Sequence, residues 1–447
     1  MKTRTLSAFL LILALFTAVS AQTLDKAKLD QFFDRLAEKN KAMGSLTVSR
    51  DGNVLYSRAI GFSEINGTGK KPATPATKYR IGSISKMFTA VMVLQLVEEG
   101  KLKLTDTLDK FFPQIPNANK ITLAQVLGHR SGIYNLTEDP SFPTWKSNAK
   151  THDEMIALVA KGKPAFEPGE KYGYSNSNYL ALGYILEKVT GKPYQIALQE
   201  RITSKIGLKD TYVGTGMTEV SKNEGLSYRY SRDWDQVSET HMSIPGGAGA
   251  LISTPNDLVK FIEALFALKL VSQESLNQMM QNKMGMNTYP LDGKTTYGHG
   301  GSIDGFRSLL VYMPEEKLAL AYTSNGVNYP SNDIVVGVVD IYRNKPFTIP
   351  TFETVAVKPE ILDKYVGVYS AAGESKKLTI SRDAATLQAQ PDGQRVVALE
   401  ATAEDTFKFD PAGIVLEFDA LKNQMTLKQR GKATVFTKEA NAAVAAP

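Results

Sequence analysis

The sequence predicts an α/β body with an all-helical lobe and a cleft between them, followed by a small C-terminal antiparallel β-barrel or sandwich. Three observations carry this. Strand-like segments lie both before and after a long helical stretch, so the helices interrupt one sheet-forming unit. A polar stretch over residues 344–358, carrying Pro346 and Pro350, reads as a linker. Beyond Lys358 the texture changes to short β segments separated by turn signals. With 447 residues, 43% hydrophobic and 22% charged, the chain has ample core for two or more domains.

The elements follow in chain order. Met1-Lys2-Thr3-Arg4, an apolar stretch from Leu6 to Val19 and the small residues Val19-Ser20-Ala21 predict a signal peptide over residues 1–21, cleaved after Ala21. The apolar stretch is short for a membrane span. Its removal takes Lys2 and Arg4 and no acid, so the formal net charge of +6 falls by two. That balance is too mild for a nucleic-acid partner, and no basic run is interleaved with aromatics. The chain has no cysteine, hence no disulfide and no lipid attached through an N-terminal cysteine. A bacterial periplasmic or secreted protein, with no integral membrane anchor after cleavage, is expected.

Residues 22–343 form the predicted body. An amphipathic helix covers 24–43 (Leu24, Leu29, Phe32, Phe33, Leu36), and a hairpin turns at Asp51-Gly52-Asn53 between Leu46–Val48 and Val54–Tyr56. An apolar helix runs from Met87 through Val97, with Gly100 as its stop. Helices follow at Thr122 to Leu127, Thr151 to Ala160 (opened by the capping box Thr151-x-x-Glu154), Ser177 to Val189 and Pro193 to Ile206. The pattern returns to strand around Gly246 to Thr254, and Thr254-Pro255 opens another helix. Strands at Tyr297 to Gly300, Phe306 to Met313 and Leu318 to Ser324, then a helix from Asn332 to Tyr342, complete the unit. Residues 359–440 make the small β domain, with strands at Tyr365 to Tyr369, Lys377 to Ile380, Val396 to Leu399, Thr406 to Phe409, Ile414 to Phe418, Gln424 to Lys428 and Ala433 to Thr437. Residues 441–447 are a tail.

Ser83-Ile84-Ser85-Lys86 sits at the start of the apolar helix. Positions i and i+3 share a helix face, so Lys86 can reach the Ser83 hydroxyl. A serine needs a neighbouring base to become a nucleophile, and a desolvated lysine can be that base. The pattern alone is equally consistent with an exposed or capping serine. A second copy, Ser147-Asn148-Ala149-Lys150, lies in a polar stretch with no apolar helix to hold it and reads as a loop.

Two further motifs complete an ordered set: Tyr174-Ser175-Asn176 before the helix from Ser177, and His299-Gly300-Gly301 followed by Ser302 on a strand. Ser-x-x-Lys, Tyr-x-Asn and His-Gly-Gly in this order resemble the serine β-lactamase and penicillin-binding-protein superfamily, on the branch of class C β-lactamases, D,D-carboxypeptidases and family VIII esterases. Leu127-Gly128-His129-Arg130-Ser131-Gly132, Pro168-Gly169 and Gly305-Phe306 add to the likeness, which covers roughly residues 25–343. The resemblance implies an antiparallel sheet flanked by helices. It also implies an acyl-enzyme formed on Ser83, with Lys86 or Tyr174 as base. Asn176 would orient the substrate amide or Lys86, and the backbone N–H groups of Ser83 and Ser302 would form an oxyanion hole. Gly300-Gly301 would let the strand approach the substrate. His299 stands where many relatives carry lysine, and a mostly neutral imidazole weakens the pull on a substrate carboxylate. Esterase or D-amino-acid peptidase action is therefore expected over β-lactam hydrolysis, on a small-molecule or peptide substrate, peptidoglycan fragments included. The rival is a non-catalytic peptidoglycan- or peptide-binding module.

No cofactor and no metal are expected. His129 with Arg130 reads as a cationic helix end, His152 lies within a capping box, and His241 lies in a loop. The absence of Gly-x-Ser-x-Gly argues against an α/β-hydrolase. The segment Tyr228 to Trp234 reads as a surface hairpin rather than a cleft wall.

Overall fold

The computed structural model describes residues 24–440 except Thr68, Arg232, Asp292, Lys376 and Arg430, so the expected signal peptide and tail lie outside the described residues. The body is built on a six-stranded antiparallel sheet in the order Asn287–Leu291, Lys294–Ile303, Phe306–Met313, Leu318–Val327, Ala42–Arg50, Asn53–Ile60. The chain's first and last body strands therefore pair with each other inside the sheet. Side chains alternate along a strand, and strand Leu318–Val327 is buried on both faces accordingly. Leu318, Leu320 and Tyr322 face helices Lys26–Glu38 and Ser331–Tyr342, whereas Ala319 and Ala321 face the helical side. There helix Pro255–Phe266, N-capped by Thr254, packs Phe261 and Leu265 between the sheet and helix Ser85–Glu98. Phe88 stacks on Phe261 with ring centroids 3.7 Å apart.

Helix Ser85–Glu98 is buried at every position from Ser85 to Leu96. A helix apolar all round belongs inside a protein, and this one runs between the sheet side and the lobe helices His152–Lys161 and Asn176–Thr190. The predicted capping box of Thr151 with Glu154 is present, and Thr122 with Gln125 forms another that the sequence reading did not mark.

Several elements differ from the sequence reading. The first helix stops at Glu38 rather than near residue 43, because Asn40 turns into the left-handed region (φ 51°) and frees the chain to enter strand Ala42–Arg50. Strand Asn287–Leu291 adds an unpredicted edge. Tyr365 is not in a strand: Lys358-Pro359 opens a helix Pro359–Tyr365, with proline at its first position. An unpredicted strand, Thr386–Pro391, enters the C-terminal sheet. The Tyr228–Trp234 hairpin forms, but Tyr228 and Trp234 are buried against Met43 rather than on the surface.

The C-terminal sheet has nine strands, and its two edges, Val397–Ala398 and Glu400–Ala401, are separated only by Leu399. One short segment thus pairs with Thr386–Pro391 on one side and Thr406–Phe409 on the other, nearly closing a barrel. Leu362 and Tyr365 of the preceding helix join its interior, where Tyr365 stacks on Phe418 at 4.5 Å. The barrel meets the body through Lys41, whose side chain is 2% exposed and bonds Glu400 (2.5 Å) and Asp410 (2.8 Å).

Candidate active site

The site begins at a short 3-10 turn, Gly82–Ile84, that feeds helix Ser85–Glu98. Gly82 adopts φ +51°, and a Cβ there would lie 2.9 Å from the Ser302 nitrogen, so only glycine lets the turn lie against the neighbouring strand. The turn presents Ser83, and Lys86 follows on the helix one turn later. Lys86 Nζ lies 2.9 Å from Ser83 Oγ, 2.9 Å from Asn176 Oδ1 and 2.8 Å from the Ala248 carbonyl. The side chain is fully buried with no carboxylate partner among the described residues, and burial lowers its pKa well below the usual lysine value. A neutral amine has two N–H groups and one lone pair. The two carbonyl oxygens can only accept, so they take the N–H groups and the lone pair is left facing the Ser83 hydroxyl.

Tyr174 also reaches Ser83, its hydroxyl donating to Ser83 Oγ at 2.9 Å. Burial pushes its pKa up to about 12, partly opposed by the bond to Ser83. Lys86 Nζ lies 5.1 Å from the ring centroid, over the ring. Burial thus favours the protonated form of the phenol. Asn176, the first residue of helix Asn176–Thr190, has its amide fixed from behind: Nδ2 donates to Thr137 Oγ1 at 2.9 Å, and its N–H donates to Asn135 Oδ1 at 3.0 Å.

His299 lies on strand Lys294–Ile303, and burial above all lowers its pKa to about 4. Its Nδ1 lies 2.5 Å from the Gly300 carbonyl, which only accepts, so Nδ1 carries the proton. Of the two glycines that follow, Gly301 is the one the packing requires. A Cβ there would stand 2.0 Å from the Ile81 carbonyl oxygen and 2.2 Å from Ser308 Oγ, whereas one at Gly300 would meet nothing nearer than 3.5 Å. Ser302 follows, exposed in the cleft.

Ser83, Tyr174, Asn176, His299, Gly301 and Ser302 all line one cavity of about 490 Å³, with Lys86 beneath it. A cleft of about 400 Å³ continues past Asn176 and Ser302 between Leu136, Phe142, Leu180, Ile244 and Ile303. The second Ser-x-x-Lys copy takes no part. Ser147 bonds the Glu239 carbonyl at 2.8 Å, and Lys150 lies over Trp145.

His129 corrects the sequence reading. It is buried and held neutral, its pKa lowered to about 3 above all by burial, so it does not act as a cationic helix end. Its Nδ1 accepts from the Ser175 N–H at 3.2 Å and is 3.2 Å from Asn178 Nδ2, and its ring stacks on Tyr174 at 4.4 Å. The Leu127–Gly132 stretch flagged the neighbourhood, but no local pattern could show a contact across 46 positions of chain. Arg307, which lines the same cavity as Ser83, was also missed.

The Beta-lactamase family model matches residues 29–337. The chain belongs to this family. It is thereby a serine hydrolase of the β-lactamase and penicillin-binding-protein superfamily, in keeping with its relatives. Penicillin-binding protein 4* of Bacillus subtilis is 25% identical over 425 residues, spanning 87% of this chain and 93% of its own. A D-stereospecific amidohydrolase from a Streptomyces species is 30% identical with a TM-score of 0.59, over 71% of this chain and 98% of its own. The octameric penicillin-binding protein homologue of Pyrococcus abyssi is 25% identical with a TM-score of 0.63 and covers 93% of this chain and 100% of its own.

Proposed function

We propose that the protein is an exported acyl-enzyme hydrolase that uses Ser83 to cleave esters or amides of small D-amino-acid or peptide substrates. The observation that carries this is the hydrogen-bond set on Lys86, which leaves a neutral amine with its lone pair on the Ser83 hydroxyl. Ser83 Oγ attacks the substrate carbonyl while its proton passes to Lys86 Nζ. The oxyanion that forms faces the backbone N–H groups of Ser83 and Ser302. Tyr174, still protonated, gives its proton to the departing alcohol or amine and recovers one from Lys86. Water then enters, loses its proton to the same pair and releases the acyl group, restoring Ser83.

The apolar wall of Leu136, Phe142, Leu180 and Ile244 suits an apolar acyl substituent. The Streptomyces relative's D-stereospecific amidohydrolysis supports the D-configuration. A neutral His299 in place of a cation supports esters and amides over β-lactams. Export rests on the N-terminal composition, Met1 to Ala21. The test is turnover of p-nitrophenyl esters and D-amino-acid amides beside Ser83→Ala. Turnover abolished by the substitution is expected. Equal behaviour of the two proteins, or binding of peptidoglycan peptides without turnover, would overturn the reading in favour of a binding module.

A further inference from the structure

The direction of the Lys86 lone pair depends on the Ala248 carbonyl, so whatever fixes that carbonyl takes part in activating Ser83. Ala248 ends a short 3-10 turn, Gly246–Ala248. Backbone bonds from the Ala248 N–H to the Pro245 carbonyl (2.8 Å) and from the Gly249 N–H to the Gly246 carbonyl (3.1 Å) curl the turn. They do not tie it to the helix that carries Lys86. Three residues of that helix do so. Ser85 and Lys86 each stand one turn before Thr89, so all three reach the same neighbour. Ser85 Oγ accepts the Leu251 N–H at 3.1 Å, Lys86 donates to the Ala248 carbonyl at 2.8 Å, and Thr89 Oγ1 meets the Gly247 carbonyl at 2.6 Å.

Thr89 and Tyr194 are both buried, and Thr89 Oγ1 also lies 2.6 Å from the Tyr194 hydroxyl and 3.3 Å from the Ser85 carbonyl. A carbonyl only accepts, and each hydroxyl has one hydrogen to give. The close Gly247 carbonyl takes the Thr89 hydrogen, so Tyr194 gives its own to Thr89. The bonds therefore run one way, from Tyr194 through Thr89 to the turn, each polarising the next. Packing secures the turn on one flank. A Cβ on Gly247 would lie 2.7 Å from the Tyr179 carbonyl oxygen and 2.9 Å from Gly183 Cα, so backbone rests on backbone against helix Asn176–Thr190. Elsewhere Gly246, Gly247 and Ala250 line a cavity of about 260 Å³ together with Tyr184 and Met242, and there the turn has room to move.

We propose that Thr89 and Tyr194 are positioning residues for acylation: through the Gly247 carbonyl they hold Ala248 where it accepts the Lys86 N–H. This rests on the reading of Ser83 as nucleophile and Lys86 as its base. Without the Thr89 bond the turn relaxes into the cavity and the freed N–H of Lys86 turns to Ser83 Oγ. The lone pair then leaves the hydroxyl it deprotonates. The test is the acylation rate with p-nitrophenyl acetate, read as the first turnover in stopped flow, with the half-saturating ester concentration and the thermal midpoint of each protein. Thr89→Val, similar in shape but without the hydroxyl, should acylate slower by about tenfold or more at saturating ester, with half-saturation within about threefold of the parent. Thr89→Ser returns the hydroxyl and should recover the rate to within about threefold whatever its thermal midpoint, because the lost methyl costs packing alone. Tyr194→Phe should slow acylation by about threefold or more. The double variant Thr89→Val/Tyr194→Phe should be no slower than Thr89→Val, since one residue acts through the other. A Thr89→Val rate within about threefold of the parent, Thr89→Ser as slow as Thr89→Val, or losses that multiply in the double variant would overturn the proposal. If Thr89→Val does not fold, an unchanged rate in Tyr194→Phe overturns it alone. The same assay on Ser83→Ala keeps the two claims apart. Acylation that persists there sinks the nucleophile, whereas acylation lost there but indifferent to Thr89 and Tyr194 sinks only their role.

Discussion

Gly301→Ala separates the packing argument from the chemical one. The added Cβ would stand 2.0 Å from the Ile81 carbonyl oxygen, whereas carbon–oxygen contacts close at about 3.3 Å. The obstacle is main chain, so strand Lys294–Ile303 and the Gly82–Ile84 turn must part by about 1 Å or more. The same methyl would stand 2.2 Å from Ser308 Oγ, breaking its 2.8 Å bond to that carbonyl. Overpacking plus the lost bond should cost about 2–4 kcal/mol of stability. The parting also moves the Ser302 N–H away from the Ser83 N–H, and a 1 Å misplacement of catalytic groups costs about 100-fold in rate. The assay is kcat/KM on a p-nitrophenyl ester, with urea unfolding of the same samples. Gly300→Ala provides the internal reference. Its nearest contact would be Leu309 Cδ2 at 3.5 Å, and its stability should stay within about 0.5 kcal/mol of the parent. A Gly301→Ala protein with unchanged stability and kcat/KM within threefold of the parent would refute the reasoning.

Other expectations concern charge. Because burial lowers the Lys86 pKa well below 10.5, the acidic limb of kcat/KM should lie far below that value; a limb near pH 10 would rule out Lys86 as the neutral base. Lys86→Ala and Tyr174→Phe should each lower acylation by about 100-fold or more with the circular-dichroism spectrum unchanged, and near-parent rates would dismiss these roles. His129 binds its proton at about pH 3 when folded and near 6.5 when unfolded. The unfolded state therefore holds more protons as pH falls below 6.5, and the stability present above that pH drains away. At pH 5 the loss should be about 2 kcal/mol, measured by urea unfolding and absent in His129→Gln. Lys41→Ala leaves Glu400 and Asp410 facing one another without their cation. It should cost about 3 kcal/mol and raise proteolysis within residues 344–358, and a digestion pattern like the parent's would count against Lys41 as the clamp.

What the sequence reveals depends on how local each cause is. Ser83 and Lys86 are one helical turn apart, so their encounter is written in spacing, and the apolar run after them announces burial. Tyr174, Asn176 and His299 were found as members of an ordered motif set, not from any periodicity. The shifts of Lys86 and Tyr174 from their ordinary pKa values were not legible, because they depend on burial. Lys41 looks like a solvated residue at a helix end, and nothing nearby points to partners 359 and 369 positions away. Arg307 sits in a strand whose alternation says only that one face is buried. Strand Thr386–Pro391 escaped notice because its inward positions, Leu387 and Ala389, are separated by glutamines that dilute the β signal.

From Ser85 to Leu96 helix Ser85–Glu98 offers no solvent face, and this constrains how such a protein can diversify. Lys86 stands on this buried stretch and the Ser83 turn leads into it, so substitutions there disturb packing on every side. New preferences have to be acquired at the periphery, on the lobe wall of Leu136, Phe142 and Leu180. The chemistry is fixed stock; the handle by which a compound is grasped is the interchangeable part.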